Sequence, residues 1–369
     1  MAYEYRSMIA PTKYFQGKGL LAHIYERTCH LGKNFAFLVD DITYEIIKDK
    51  VEKAFEGTDG TFMFIKHHGE STVAEAERIA EILKENNIDV ICGCGGGKVM
   101  DSAKRAAMEI DTMKVVIVPT SAASDAPCSA NTCEYDENGK FIRAIHPKEN
   151  PSVVLVDTEI IANAPVRLLV AGMGDAFVTY FEARASRNAE KPNLSGGGCT
   201  QAGFAIAELC KESLLKYGAL AKADVEKKQW SEYVDLIAET NIYLSGLGFE
   251  NNGCSLSHAT YNGLTAAIPH YPKMHGEGVA FGLFVQLAVE YLEAGQWNDE
   301  EWNEVVDFYK SVGLPTKFED VAVTDTSDEF LESLANYIFV SSGNSTREPF
   351  EVTPEKIFAA LKHIREMDI

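Results

Sequence analysis

Short apolar runs recur through the first 160 residues: Asn34 to Asp40, Thr61 to Ile65, Asp89 to Cys92, Lys114 to Val118 and Ser152 to Asp157. Each has the length of a buried strand. Between them lie stretches with helical character, from about Tyr44 to Phe55, from Ser71-Thr72-x-x-Glu75 to about Asn87, and from about Val99 to Met108. The second opens with capping-box spacing. Such alternation predicts a mostly parallel sheet covered by helices. Two further runs, Asn131 to Tyr135 and Lys140 to Ile145, flank Asp136-Glu137-Asn138-Gly139. Asn-Gly between short runs predicts a β-hairpin, inserted here before the last strand. From about Ile160 the chain reads as long helical segments, Cys199 to Tyr217, Ser231 to Leu247, Gly278 to Gly295 and Pro354 to Met367, with no further strand. The pattern divides the chain into an α/β domain over 1–160 and an all-helical domain over 161–369.

A length of 369 residues suits two domains. The net charge of −21 argues against a nucleic-acid partner or an anionic membrane surface, since either needs a basic face. No apolar run reaches the roughly 18 residues of a membrane span. Met1-Ala2-Tyr3-Glu4-Tyr5-Arg6 lacks the basic flank and apolar core of a signal peptide. None of the eight cysteines forms a C-x-x-C pair, so reduced thiols and a cytoplasmic location are expected.

Cys92-Gly93-Cys94-Gly95-Gly96-Gly97-Lys98 follows a strand and opens a helix. Glycines let a phosphate approach backbone N–H groups at a helix N-terminus. Two familiar patterns fail here. Gly93 to Gly97 is one residue short of a Walker A loop, and Val99 stands where its Ser or Thr would be. Lys98 occupies the last glycine of a G-x-G-x-x-G fingerprint. Asp40 ends the first apolar run, where a carboxylate suits either a ribose hydroxyl or a helix N-cap. Beside it, Asp41 adds a second charge that would repel a 2′-phosphate.

Asp175 lies in Gly172-Met173-Gly174-Asp175-Ala176-Phe177-Val178, apolar almost all round and therefore buried. A buried carboxylate needs a counter-charge or hydrogen bonds. An Arg or Lys, backbone N–H groups or a metal ion would serve. His258 and His275 fall in stretches rich in small residues. Two imidazoles and one carboxylate would leave a fourth position open, as in catalytic zinc sites, although each histidine alone also suits an ordinary polar role. His23, His30, His67, His68, His146 and His363 sit in charged or loop contexts and read as surface residues.

Three segments together resemble the metal-dependent, iron-containing alcohol dehydrogenase superfamily: Gly95-Gly96-Gly97-Lys98-x-x-Asp101, Pro119-Thr120 through Asp125-Ala126-Pro127-Cys128-Ser129-Ala130, and Gly172-x-Gly174-Asp175-Ala176. Pro11 to Gly17, Phe181-Glu182-Ala183-Arg184-Ala185, Gly197 to Ala202, Gly248-Phe249-Glu250 and His275-Gly276-Glu277 resemble its glycerol dehydrogenase branch. The resemblance implies an NAD-binding α/β domain, a helical domain of dehydroquinate synthase-like architecture, and a site in the cleft between them. Asp175, His258 and His275 would bind one zinc ion per chain. Gly95, Gly96, Gly97, Lys98, Val99 and Met100 would meet the pyrophosphate, and Asp40 the ribose. Thr120, Ser121, Ser129, Asn131 and Tyr135 would line the dinucleotide. Asp125, Phe249 and His258 would contact a small polyol. A homo-oligomer, in this family an octamer, is expected.

Four residues after Asp175, iron-type members place a histidine; Thr179 here leaves three protein ligands and favours zinc. Other departures are Asn131 for an apolar residue, Tyr261 for a histidine, Pro269-His270 where adjacent histidines are usual, and Gly278 for a lysine. The expected activity is NAD-dependent oxidation of a vicinal diol, glycerol to dihydroxyacetone, with 1,2-propanediol or butanediol as alternative substrates. A dehydroquinate synthase-like lyase needs basic residues for a substrate phosphate, and the region from His258 to His275 offers only Lys273. A non-catalytic nucleotide-binding protein would have no use for the metal trio.

Overall fold

A computed structural model describes residues 3–367 except 138, 140 and 148. The signal-peptide reading at Met1-Ala2 and the turn residue Asn138 therefore lie partly outside the described residues. Contacts group the chain into two compact units. One comprises Ala10–Leu169 and Ala223–Gly246, the other Met1–Ile9, Val170–Lys222 and Leu247–Ile369.

The first unit holds a six-stranded parallel sheet of β1 (Tyr14–Gly17), β2 (Asn34–Val39), β3 (Thr61–Lys66), β4 (Val90–Gly95), β5 (Lys114–Pro119) and β8 (Val153–Asp157), in the order β1-β8-β5-β4-β2-β3. The central strands are apolar because both faces are covered. Phe35, Phe37, Cys92 and Val116 face one core; Ala36, Leu38 and Ile91 face another, beneath the helices Val73–Glu85 and Gly97–Ala107. The hairpin is present as β6 (Thr132–Tyr135) and β7 (Phe141–Ile145), antiparallel and outside the main sheet. Strand β1 has no apolar run to announce it. Its four residues are all half-buried, and it forms by pairing in parallel with β8.

The two contact units are drawn differently from the expected division at residue 160. Residues 223–246 pack with the sheet unit, because polar side chains tie them there. Asn241 donates to the carbonyls of Ala122 (2.9 Å) and Leu169 (3.0 Å). Gln16 donates to the carbonyl of Asp235, and Trp230 to Thr158 Oγ1. Asn241 sits in a π-helical turn, Thr240–Leu244, between helices Glu232–Glu239 and Ser245–Asn252. Conversely, the N-terminal residues join the other unit: Arg6 bridges Gly198, and Asn251 accepts from Ile9 N–H. That second unit has no strand among its described residues, as expected. Among the described residues no helix is long and apolar enough to cross a membrane.

Asn241→Ala should leave two buried carbonyls without donors, at about 1–3 kcal/mol. Urea unfolding of the variant against the wild-type protein measures this; an unchanged midpoint would show that neither bond matters.

Candidate metal centre and nucleotide turn

Helix Val166–Asn188 carries Asp175 with 1% of its surface exposed. Neither of its carboxylate oxygens has a hydrogen-bond partner. Two imidazoles stand opposite: His275 Nε2 lies 3.3 Å from Oδ1 and His258 Nε2 lies 3.5 Å away. His275 opens helix His275–Ala294, and His258 lies in the first turn of helix Leu256–Ala267. Burial pushes the Asp175 carboxyl up, but the two imidazoles outweigh it and hold the group well below the usual carboxylate range. For His258 burial acts downward, yet Cys254, Glu182 and Asp175 together raise it well above an ordinary histidine. The ligand atoms of Asp175, His258 and His275 all lie within 4.8 Å of one another. Two imidazole nitrogens around an orphaned buried carboxylate fit a divalent cation with a coordination position to spare. One turn after Asp175, Thr179 donates to the Asp175 carbonyl at 3.5 Å.

The helices meet here backbone to backbone. A Cβ added at Gly276 would fall 1.8 Å from the Ala171 carbonyl oxygen. Only glycine lets His275, its neighbour, come so close to the helix bearing Asp175.

Glu182 carried no expectation from sequence beyond its place in a matching segment. It follows Asp175 by two helical turns and so shares its face. Its Oε2 lies 2.7 Å from His258 Nδ1, while Oε1 accepts the N–H groups of Ser255 (2.8 Å) and His258 (2.9 Å). The available signal was a second carboxylate two turns after Asp175 on the same helix face. Beyond it, Ser255 Oγ donates to Glu348 Oε1 at 2.7 Å. Burial, with Glu290 and Glu182 nearby, pushes the Glu348 carboxyl up to about 8.

The departures at 261 and 278 belong together. The Tyr261 ring stands edge-on to His275, with centroids 4.5 Å apart. A Cβ at Gly278 would fall 2.6 Å from Tyr261 Cδ2. Tyr261 therefore occupies the space in which a side chain at 278 would begin. Phe249, also of this unit, is buried.

The sheet unit carries the other expected residues. Strands β2, β4 and β5 are parallel neighbours and end side by side, which places Asp40, Gly95 to Lys98 and Thr120-Ser121 along one edge of the sheet. Gly95 has φ 145°, open to glycine alone. Gly96 caps helix Gly97–Ala107 without any side-chain hydrogen bond, and Cβ atoms at Gly96 and Gly97 would meet nothing within 4 Å. The turn thus keeps bare N–H groups and open space, which fits a phosphate. Val99 and Met100 are buried, so they can offer a ligand only backbone. Lys98 pairs with Glu70. Asp40 is the N-cap of helix Asp41–Phe55, accepting from Thr43 N–H at 2.7 Å, and remains half-buried.

Lys104 fixes the segment that follows β5. It donates to the carbonyls of Ala126 (2.7 Å) and Asn131 (3.0 Å), while Asp101 accepts from Cys133 N–H at 3.2 Å. Within that segment Asn131 N–H donates to the buried Ser129 Oγ at 2.7 Å, and Tyr135 N–H donates to the Ser71 carbonyl. Asp125 is buried and accepts from Ser245 Oγ at 2.7 Å. One histidine expectation fails. His67 is buried, with Nε2 2.9 Å from Ser102 Oγ, because it follows β3 against helix Gly97–Ala107; burial lowers its pKa.

Residues 11–158 match the family described as iron-containing alcohol dehydrogenase. A glycerol dehydrogenase of Thermotoga maritima is 38% identical over 96% of this chain and 95% of its own. The chain belongs to the iron-containing alcohol dehydrogenase family. It is an oxidoreductase, and its likeness to the Thermotoga maritima enzyme spans both units. A glycolaldehyde reductase of Halobacterium salinarum is 34% identical, covering 97% of this chain and 96% of its own. The crystal structure of glycerol dehydrogenase from Schizosaccharomyces pombe superimposes with a TM-score of 0.91 at 30% identity, over 98% of this chain and 91% of that one. The family's α/β and helical architecture is thus the one expected from sequence.

Two outcomes test this geometry. Gly276→Ala should destabilise at or above the top of the about 1–3 kcal/mol usual for overpacking, because the clash is with backbone; a melting temperature equal to wild type would contradict the close approach. Glu348 has a raised folded pKa, so its contribution is full below about pH 4.5 and is lost as pH rises through about 8. Glu348→Gln should therefore lose less stability than wild type between pH 5 and pH 8 in denaturant titrations.

Proposed function

We propose that this chain oxidises a vicinal diol, glycerol to dihydroxyacetone, with NAD as acceptor and zinc at Asp175, His258 and His275. The observation that carries this reading is the buried carboxylate without a hydrogen-bond partner, set within 4.8 Å of two imidazole nitrogens. Thr179 in place of a further ligand supports zinc over iron. When bound, zinc would lower the pKa of a substrate hydroxyl and NAD would accept the hydride.

The chain's own residues supply position and charge. The anionic Asp175 offsets a dication, and both histidines present Nε2 toward it. The uncapped N–H groups at Gly96 and Gly97 would take the pyrophosphate, with Lys98 beside them once drawn from Glu70. Asp40 and Asp41 at the end of β2 would accept ribose hydroxyls and disfavour a 2′-phosphate. Thr120, Ser121, Ser129, Asn131 and Tyr135 would line the rest of the dinucleotide. Ser245 holds the Asp125 carboxylate in one orientation, suited to accepting a substrate hydroxyl. Phe249 would supply an apolar wall.

The glycolaldehyde reductase relative supports a second reading on the same residues, reduction of a small hydroxyaldehyde. One screen covers both directions. NADH formation is followed with glycerol, 1,2-propanediol and butanediols, and NADH consumption with dihydroxyacetone and glycolaldehyde. Chelator dialysis should abolish turnover and zinc should restore it. Full activity of the metal-free protein would sink the proposal.

A further inference from the structure

The geometry points to Glu182 as the positioning residue that fixes the tautomer of His258, an inference resting on the metal centre proposed above. One helix, Val166–Asn188, carries both Asp175 and Glu182, so a single rigid element faces both nitrogens of the His258 ring. Asp175 Oδ1 lies 3.5 Å from Nε2, and Glu182 Oε2 lies 2.7 Å from Nδ1. A carboxylate has no proton to give, so it holds the hydrogen on Nδ1 and leaves the Nε2 lone pair for a cation. Glu182 is fixed in turn. Its Oε1 accepts Ser255 and His258 N–H groups, which are donors at the start of helix Leu256–Ala267. Ser255, the N-cap, makes no side-chain cap of its own, so Glu182 caps that helix from a distance. Cys254 lies within 4.8 Å of the same ligand atoms, but both Glu182 oxygens are already engaged, which argues against a second metal there.

Glu182→Gln separates capping from tautomer control. The two backbone N–H donors still require an oxygen, so the amide oxygen stays on them and the NH₂ group turns to Nδ1. That forces the ring proton onto Nε2, the nitrogen meant for the metal. The variant should keep the metal-free melting temperature of wild type and lose roughly 10–100-fold in zinc affinity, measured by competition with a chromophoric chelator. Side-chain ¹⁵N NMR of metal-free protein at alkaline pH should show the His258 proton on Nδ1 in wild type and on Nε2 in the variant. An unchanged tautomer, or zinc affinity equal to wild type, overturns the assignment. If Glu182→Gln does not fold, Glu182→Asp keeps the charge but withdraws the oxygen from Nδ1. It should bind zinc more weakly, and equal affinity again overturns the role. Failure of wild type itself to bind zinc sinks the metal centre, a result distinct from a wild type that binds and a variant that binds equally.

Discussion

A carboxylate sealed inside an apolar helix is the constraint around which the helical unit is built. Asp175 has almost no contact with water and no hydrogen-bond partner on either oxygen. An isolated charge there would cost many kcal/mol or be neutralised. The two imidazoles beside it hold its carboxyl low against desolvation. They stand on two other helices, so three helices converge on one point. Where the helix of His275 begins, its backbone lies against the helix bearing Asp175 with no room for a side chain, since a Cβ at Gly276 would fall 1.8 Å from the Ala171 carbonyl oxygen. Gly276 follows from that demand as much as from any turn chemistry. The charge and the close packing are therefore one requirement seen at two scales.

The sheet unit solves a different electrostatic problem. A chain of net charge −21 repels anions at long range. A nucleotide anion would have to be attracted locally, within a Debye length of about 10 Å. The turn after β4 offers uncapped backbone donors rather than a cluster of cations, and its one lysine is paired with Glu70. Backbone donors are held in place by the helix and the sheet, so they need no ordering when a ligand arrives. Asp101 and Lys104, four and seven positions along the same helix from Gly97, extend the same rigidity to the segment around Ser129 and Asn131.

Much of this was legible in the chain. Strands β2, β4, β5 and β8 are buried on both faces and therefore read as unbroken apolar runs. The hairpin showed in its Asn-Gly turn. What could not be read was anything set by distant partners. Strand β1 exists because β8 offers an edge, not because its own four residues demand it. Residues 223–246 look helical like their neighbours, and only hydrogen bonds such as those of Asn241 decide which unit they join. His67 looked exposed because charged residues surround it in sequence, while burial depends on the helix packed over it. Of the proposed metal trio, Asp175 stands out by its surroundings, and the histidines need the family resemblance to be singled out. Glu182 carries no local signal of its role, because its partners, Ser255 and His258, lie 73 and 76 residues away in sequence.

The substitutions around His275 follow the same logic of shared space. A histidine exchanged for Tyr261 adds a larger ring, and the ring lies edge-on against His275. Its Cδ2 then stands where the Cβ of residue 278 would project. A side chain at 278 would therefore require the Tyr261 ring or the helix that begins with His275 to shift. That helix cannot move toward the one bearing Asp175, because Gly276 is already at backbone contact with Ala171. Glycine at 278 removes the conflict. The ring at 261 and the glycine at 278 thus share one space beside His275. The pairing shapes what can approach His275 and leaves the ligand atoms of Asp175, His258 and His275 within 4.8 Å of one another.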